Sequence, residues 1–308
     1  MHSYYLGIDT SNYTTSIGIV DENDNVVSDK RKLLNVKKGN RGLRQSEAFF
    51  QHIENISDLY KQAVKNIDTD KIKCVCVSIR PRNVEGSYMP VFKAGITIAE
   101  VISTSLGVPL YTCSHQEGHM KAITAFNNVG DDFFCYHMSG GTTEILDVHY
   151  DKKSNTYHSK IIGGTLDISI GQLIDRVGVA LGMDFPAGQK MDTLACSTGN
   201  SNLKVKPIKV KDLSFNLSGI ETQMLKAIDN YFQEEIAYEL FTKINLCLQK
   251  TIDNLKEQNK KIVFVGGVSQ SEFIRNNIDR NVIFGAFGSD NAIGTALIGG
   301  QIHGNKAY

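Results

Sequence analysis

The sequence YYLGIDTSNYTTSIGIVDENDNVVSDKRKL, residues 4–33, is typical of three β-strands joined by two polar turns. Apolar and β-branched residues alternate in three stretches, and Asp, Asn, Ser and Thr separate them. The same layout returns at residues 133–162, where a glycine turn at 139–142 takes the place of the first polar turn. Two hairpins repeated so far apart predict duplicated domains rather than a solenoid, whose period is ~20–50 residues.

The first turn of each repeat carries hydroxyl and backbone N–H groups. Thr10 and Ser11 lie in one turn, and Ser139 and Thr142 lie in the other. Two such turns facing each other would hold a polyphosphate or a metal-bound anion from both sides. Either turn alone could equally be the polar tip of an ordinary hairpin. We expect an N-terminal domain at 1–121, a C-terminal domain at 122–308, and a cleft between them.

Length and charge restrict the class of protein. The 308 residues suffice for two domains with separate cores. Thirty-three basic residues balance thirty-three acidic ones, so nucleic-acid binding would need a local basic patch. We find no signal peptide and no apolar run near the ~18 residues of a membrane span, so we expect a cytoplasmic protein without a membrane partner. Buried free thiols in a reducing compartment are expected at six positions, none of them in a CxxC pair: Cys74, Cys76, Cys113, Cys135, Cys196 and Cys247.

The sequence HQEGH begins with one candidate metal ligand and ends with another. On a helix, His115 and His119 are four residues apart and share one face, so both imidazoles can reach one ion. A zincin metalloprotease would have its catalytic Glu beside the first His, but Gln116 occupies that place and Glu117 follows one position late. We therefore reject a metalloprotease. Two unrelated surface histidines remain the alternative to a metal site.

Asp290 is a candidate for a third ligand. It lies in the sequence GSDN at 288–291, directly before an apolar helix expected from residue 292. Its carboxylate could cap that helix, or it could join the two histidines at one ion. Two imidazoles and one carboxylate leave open coordination positions that suit Fe²⁺ or Zn²⁺.

Two further segments suggest contacts with a nucleotide. A buried strand at 262–265 runs into Gly266 and Gly267, where a ligand could approach the backbone closely before a helix expected near Ser271. A plain structural turn is the alternative, because strand–glycine–helix junctions are common. Asp175, followed by the loop at 184–188, could hydrogen-bond a ribose, or it could form a surface ion pair with its neighbour Arg176 worth ~0–1 kcal/mol.

Taken together, these motifs resemble the TsaD/Gcp family of tRNA threonylcarbamoyladenosine synthases, which are glycoprotease-like proteins. The resemblance covers nearly the whole chain, with its motifs in the same order. It is carried by LGIDTS (6–11), SHQEGH (114–119), MSGGTTEIL (138–146), IGQLIDRVGVALGMDFPAG (170–188), SFNLSGIET (214–222), VGGVSQ (265–270) and SDNA (289–292).

The resemblance implies an α/β protein with the actin-like ATPase fold of actin, sugar kinases and Hsp70, related to ribonuclease H, with two duplicated domains and an interdomain cleft. It implies one divalent metal, Fe²⁺ or Zn²⁺, held by the catalytic residues His115, His119 and Asp290. It also implies ATP or an acyl-adenylate as ligand. With the turns described above, the nucleotide- and substrate-binding set is Thr10, Ser11, His137, Met138, Ser139, Gly140, Gly141, Asp175, Gly188, Gly266, Gly267 and Ser271.

The activity that the resemblance implies is that of an acyltransferase. Members of the family transfer a threonylcarbamoyl group from threonylcarbamoyl-AMP to N6 of the adenine next to a tRNA anticodon. Partner proteins resembling TsaB, TsaE and TsaC make the adenylate and present the tRNA. Two basic stretches, at 30–44 and 204–211, could hold the tRNA backbone, or they could be ordinary solvated faces.

Four departures from the family pattern predict a diverged paralogue. Residues 12–14 are Asn-Tyr-Thr where the family has Cys-Asp-Glu, and residues 80–86 replace a Gly-Pro-Gly loop. Thr142 stands in place of a His, and Ser271 in place of an Asn. We expect the nucleotide and metal chemistry to be kept, while the acceptor stays open. The alternatives are a different acceptor or a catalytically silent nucleotide-binding subunit.

Overall fold

The computed structural model describes residues 3–11, 13–36, 43–152, 156–285 and 292–306. The strands of its first sheet are β1 (Tyr4–Asp9), β2 (Thr14–Asp21), β3 (Val26–Leu33), β4 (Ile72–Arg80) and β5 (Leu110–Ser114). Their order is β3-β2-β1-β4-β5. The first three strands pair antiparallel, and β4 and β5 add parallel to β1.

The second sheet repeats this arrangement and extends it. Its strands are β6 (Asp132–Met138), β7 (Thr143–Asp151), β8 (Thr156–Thr165), β9 (Val210–Lys211), β10 (Ser214–Phe215), β11 (Lys261–Val265) and β12 (Val282–Phe284). Their order is β12-β11-β6-β7-β8-β10-β9. An antiparallel meander, β6 to β8, again has two parallel strands beside its first member. The predicted duplication is therefore present, although residues 153–155, between β7 and β8, lie outside the described residues.

Helices connect the strands and cover the sheets. Within the described ranges they are α1 (Gln45–Val64), α2 (Phe92–Leu106), α3 (His115–Phe126), α4 (Ile170–Ala180), α5 (Gly188–Ser197), α6 (Ser218–Ala227), α7 (Gln233–Asp253), α8 (Glu272–Asn277) and α9 (Ala292–Lys306). A break separates α6 from α7: Phe232 has extended backbone dihedral angles where α7 begins, and its N–H donates to the Glu235 carboxylate at 3.3 Å. None of these helices is long and apolar enough to cross a membrane.

Each sheet has its own apolar core. The larger core lies between the second sheet and helices α4 to α8, and a separate cluster joins the first sheet to α1 and α2. Five of the six cysteines are buried free thiols, as expected. The expectation is wrong for Cys196, which is exposed because it lies on the outer side of α5.

The last helix returns to the first half of the molecule. Glycines allow this close packing: a Cβ atom on Gly7 would lie 2.1 Å from the carbonyl oxygen of Ala292. A Cβ atom on Gly294 would lie 1.8 Å from the carbonyl oxygen of Gly118. Helix α9 is therefore wedged between the first sheet and α3, which carries two candidate metal ligands. The division into domains at residue 121 stays a prediction.

Candidate metal and nucleotide site

Three histidine side chains meet where the two halves of the molecule come together. His115 and His119 lie in the first turns of α3, and His137 lies near the end of β6. One ring nitrogen from each lies within 4.8 Å of the others. The Nε2 atoms of His115 and His119 are 3.1 Å apart. The helical spacing predicted for these two residues is confirmed.

The start of α3 is fixed by a capping box. The Ser114 hydroxyl accepts the N–H of Glu117 at 3.2 Å, and the Glu117 carboxylate accepts the N–H of Ser114 at 2.8 Å. This arrangement satisfies N–H groups that an uncapped helix would leave without partners. Glu117, which is out of place for a zincin base, thus serves to set the position from which His115 projects.

Asp9, which we did not predict as a site residue, supports the cluster from behind. Its carboxylate lies 3.2 Å from Nδ1 of His115 and accepts hydrogen bonds from the hydroxyls of Ser11 and Ser78. Burial alone would raise the pKa of Asp9, but His115 and the two hydroxyls together hold it well below its usual range. An ionised Asp9 accepts a hydrogen bond from Nδ1–H of His115, so the lone pair of Nε2 faces the other histidines.

The surroundings keep the two inner histidines neutral. His119 and His137 are buried, and burial lowers the pKa of each, with a further contribution from His115. The pKa of His137 falls to about 3, with the nearby Arg82 as an additional cause. Neutral imidazole is the form that binds a metal ion. Convergent nitrogens, neutral rings and a carboxylate behind one ring therefore fit a divalent metal, and this donor set could hold one.

The predicted third ligand, Asp290, lies outside the described residues. Among the described residues, the third histidine of the cluster, beside His115 and His119, is His137. The sequence suggested His137 only for nucleotide binding. His137 pairs with Val265 of β11 and so lies at the carboxyl ends of two adjacent parallel strands.

The hydroxyls of the first turn are used inside the protein. Thr10 is fully buried, and its hydroxyl accepts the N–H of Gly95 at 3.1 Å at the start of α2. Ser11 donates to Asp9 at 2.7 Å. These two side chains position other residues of the site, and their contact with a nucleotide stays a prediction.

The glycine turn after β6 is held by its own serine. The Ser139 hydroxyl accepts the N–H groups of Gly141 and Thr142 at 3.2 and 3.1 Å. The N–H of Gly140 has no such partner among the described residues. Gly266, whose φ is 89°, lies so near that a Cβ atom there would be 2.3 Å from the carbonyl oxygen of Met138. The structure thus brings together the two predicted glycine segments, 138–141 and 266–267.

Asp175 and Ser271 both stabilise loops. Asp175 accepts the N–H of Ala187 at 2.8 Å. Burial raises the pKa of Asp175, although backbone hydrogen bonds from Ala187 and Gly188 act to lower it. Ser271 caps α8 and donates to Asp192 at 2.5 Å. The ion pair that we considered for Asp175 is not formed. Arg176 pairs instead with Glu221, at 3.2 Å.

Solved structures with the same architecture define the class of protein. One is component A of the (R)-2-hydroxyglutaryl-CoA dehydratase from Acidaminococcus fermentans, with a TM-score of 0.60, 13% identity and coverage of 98% of this chain and 99% of that chain. Another is a ROK family glucokinase from Streptomyces griseus, in complex with glucose and AMPPNP, with a TM-score of 0.51, 12% identity and coverage of 97% and 98%. The predicted fold is confirmed: this is a protein of the actin-like ATPase fold.

The sequence comparison is more specific. The family model for TsaD, tRNA N6-adenosine threonylcarbamoyltransferase, matches residues 28–293. The chain is 30% identical over 287 residues to the tRNA N6-adenosine threonylcarbamoyltransferase of Thermosipho africanus, covering 88% of this chain and 82% of that protein. It is 26% identical over 284 residues to the enzyme of the same name from Neorickettsia sennetsu, covering 89% and 83%. The chain therefore belongs to the TsaD family, and the expectation of an acyltransferase-type enzyme is confirmed at that level.

Proposed function

We propose that this protein transfers a threonylcarbamoyl group from threonylcarbamoyl-AMP to N6 of an adenine in tRNA. The convergence of His115, His119 and His137 in front of Asp9, in a chain of this family, is the observation that carries the proposal. We propose Fe²⁺ or Zn²⁺ as the ion at this site, with Asp290 as a further ligand. When bound, it would supply Lewis-acid polarisation of a carbonyl or phosphate oxygen.

The protein's own groups would prepare the site for this chemistry. Asp9 holds the proton of His115 at Nδ1, and burial keeps the imidazole of His119 uncharged. The N–H of Gly140 is the one in its turn that would be free to donate to an anionic oxygen of the donor. Holding the adenylate and the adenine amine in one cleft would reduce the entropic cost of their reaction.

We assign the adenylate, or ATP, to the glycine segments beside the cluster. Gly266 packs against Met138, and the open space at the Cβ positions of Gly267 and Gly140 would let a phosphate or ribose approach the backbone. Asp175 holds the loop at 184–188 through its hydrogen bond from Ala187. Asp175 and Gly188, at the end of this loop, would then lie beside the same ligand. Membership of the TsaD family and a structural neighbour solved with AMPPNP support a nucleotide as a ligand of this protein.

One of the two basic stretches is the better candidate for tRNA contact. The apolar side chains within residues 203–211 pack on the core of the second sheet: Leu203, Val205, Ile208 and Val210. The lysine side chains between them are exposed and, among the described residues, their ammonium groups form no ion pair or hydrogen bond: Lys204, Lys206, Lys209 and Lys211. Much of the other stretch, residues 37–42, lies outside the described residues. We propose the lysine row for the tRNA backbone, and proteins resembling TsaB, TsaE and TsaC for making the adenylate and presenting the tRNA.

The decisive test is a transfer assay. Purified protein, Fe²⁺ or Zn²⁺, threonylcarbamoyl-AMP and unmodified tRNA are incubated with and without the partner proteins. We expect mass spectrometry of the digested tRNA to detect N6-threonylcarbamoyladenosine. His115→Ala should abolish the product without unfolding the protein, whereas His149→Ala, at an exposed histidine outside the cluster, should not. Absence of the product with every combination of partners would refute the proposal.

A different acceptor is the second candidate, and Tyr13 favours it. The ring of Tyr13 lies 5.9 Å from the ring of Phe185, so an aromatic side chain bridges the two halves where the family has an acidic residue. An aromatic contact across the cleft would hinder entry of a bulky anticodon loop and would suit a smaller acceptor. In this case the protein would consume threonylcarbamoyl-AMP at a rate that tRNA does not change, and strict dependence on tRNA would exclude it.

A further inference from the structure

The loop that follows β4 lies directly on the helix that carries the metal ligands. The N–H of Gln116 donates to the carbonyl oxygen of Pro81 at 3.0 Å, and the Asn83 amide donates to Glu117 at 3.2 Å. The N–H of Arg82 donates to the hydroxyl of Ser87 at 3.0 Å. The backbone of Arg82 is therefore held against the first turn of α3.

The guanidinium of Arg82 reaches across to the second sheet. Its Nη1 donates to Oε1 of Glu144 on β7 at 2.9 Å. Glu144 pairs in register with His137 on the neighbouring strand, and Arg82 is close enough to contribute to the lowered pKa of His137. The positive charge thus lies at the edge of the three histidines, held from one half of the molecule by its backbone and from the other by Glu144.

Most of the hydrogen-bonding capacity of this guanidinium is unused. The group has five N–H donors, and in the described part of the chain its side chain donates only to Glu144. The Arg82 side chain is 41% exposed, whereas that of Glu144 is only 19% exposed. The second oxygen of Glu144, Oε2, is buried without a hydrogen-bond partner among the described residues. One edge of the guanidinium is fixed, and among the described residues its other edges have no partner and are available to a ligand entering beside the histidines.

We propose that Arg82 forms an oxyanion-binding subsite next to the three histidines and binds an anionic group of the donor substrate. A guanidinium offers parallel N–H groups that match the oxygens of a phosphate or a carboxylate. The identity of the donor rests on the proposed function. Threonylcarbamoyl-AMP carries both groups, a phosphate at the adenylate and a carboxylate on the threonine, and the experiment separates these two sources.

A purely structural role for the ion pair makes a different prediction. If Arg82 and Glu144 only join the two halves, breaking the pair from either side should affect every ligand of the cleft in the same way. If Arg82 is a subsite, Glu144→Gln keeps an acceptor oxygen for Nη1 and removes a competing negative charge. Binding of an anion should then be equal or tighter in Glu144→Gln and weaker in Arg82→Gln.

The experiment measures binding of three probes to the full-length, chelator-treated protein by titration calorimetry: AMP, adenosine and N-carbamoyl-L-threonine. We expect Arg82→Gln to weaken binding of AMP, if the phosphate is bound, or of N-carbamoyl-L-threonine, if the carboxylate is bound, by roughly tenfold. Adenosine should bind as to the wild type. Arg82→Lys keeps the charge but not the paired donors. Its affinity for the anionic probe should lie between those of the wild type and Arg82→Gln.

Arg31→Gln is the matched control, because Arg31 also pairs with a carboxylate, Asp29 at 3.0 Å, and its side chain is 45% exposed on the edge strand β3. The subsite is refuted if Arg82→Gln binds both anionic probes with wild-type affinity. It is also refuted if Arg82→Gln weakens the binding of adenosine as much as the binding of AMP. None of these measurements requires transfer to tRNA. Loss of the transfer reaction alone would therefore count against the proposed function and leave the subsite standing.

Discussion

The carboxylate of Asp9 lies 3.2 Å from Nδ1 of His115 and joins the end of the first strand to the first turn of α3. Asp9 is buried, and the hydroxyls of Ser11 and Ser78 complete its hydrogen bonding. A carboxylate behind a metal-binding imidazole fixes the tautomer and the orientation of the ring. The arrangement of the cluster therefore depends on Asp9, although Asp9 is not one of the converging groups.

Asp9→Asn should weaken metal binding by about 10- to 100-fold, because an amide no longer fixes the proton of His115 at Nδ1. The measurement is the Kd for Zn²⁺, determined by competition with a chromogenic chelator. Asp21→Asn is the control, since Asp21 is also a buried carboxylate of the first sheet but accepts hydrogen bonds from the Asn23 and Asn25 backbone in a turn. An unchanged Kd for Asp9→Asn would contradict this account.

His137 should contribute to the same ion. We expect His115→Ala or His119→Ala to abolish tight Zn²⁺ binding, and His137→Ala to weaken it by about tenfold, the order of effect of losing one contact in such a site. His149→Ala should match the wild type, because His149 is exposed and pairs with Asp132. Equal Zn²⁺ affinity in wild type and His137→Ala would remove His137 from the site.

Local periodicity accounts for the part of this site that the sequence predicted. His115 and His119 are on one helix, so their spacing alone places them on one face. The duplicated hairpins could be recognised for the same reason, since alternation along a strand is a local signal. Both predictions depend only on residues that are close in the chain.

The parts of the site that the sequence did not predict depend on contacts between segments that are distant in the chain. Asp9 meets His115 because β1, β4 and β5 pair in parallel, which carries the ends of these strands to one edge. His137 joins them across the boundary between the sheets. The signal that could have identified Asp9 is a carboxylate at the end of a fully apolar strand, where burial requires a partner. The internal use of the Thr10 and Ser11 hydroxyls depends on neighbours that the sequence does not place.

Gly294→Ala should both destabilise the protein and weaken metal binding. The added Cβ atom would lie 1.8 Å from the carbonyl oxygen of Gly118, so α9 and α3 would have to separate. Such overpacking costs about 3 kcal/mol, and it would move the helix that carries His115 and His119. The measurements are urea unfolding and the Kd for Zn²⁺. Gly304→Ala, on the same helix with open space around its Cβ position, should not lower stability; if both variants unfold alike, the close crossing is not the cause.

Asp167 should contribute stability that is lost in acid. Its carboxylate accepts the N–H groups of Leu217 and Ser218 at 2.8 and 3.0 Å and so caps the start of α6 from a distant loop. Burial opposes ionisation, but these hydrogen bonds outweigh it and lower the pKa of Asp167 from 3.8 to about 2. Because the folded pKa lies below the unfolded value, the unfolded chain binds more protons between them. The contribution is therefore complete above pH 4 and is lost as the pH falls through about 2.

Asp167→Ala should then lower the free energy of unfolding by about 1 kcal/mol at pH 7, as expected for loss of a helix cap. The difference from wild type should shrink as urea unfolding is repeated at progressively lower pH below 4. Asp184→Ala is the control, because Asp184 is an exposed carboxylate whose pair with Lys190, at 3.8 Å, lies at the surface. A destabilisation by Asp167→Ala that stays constant down to pH 2 would mean that the side chain acts through packing, since a charged cap must weaken when it is protonated.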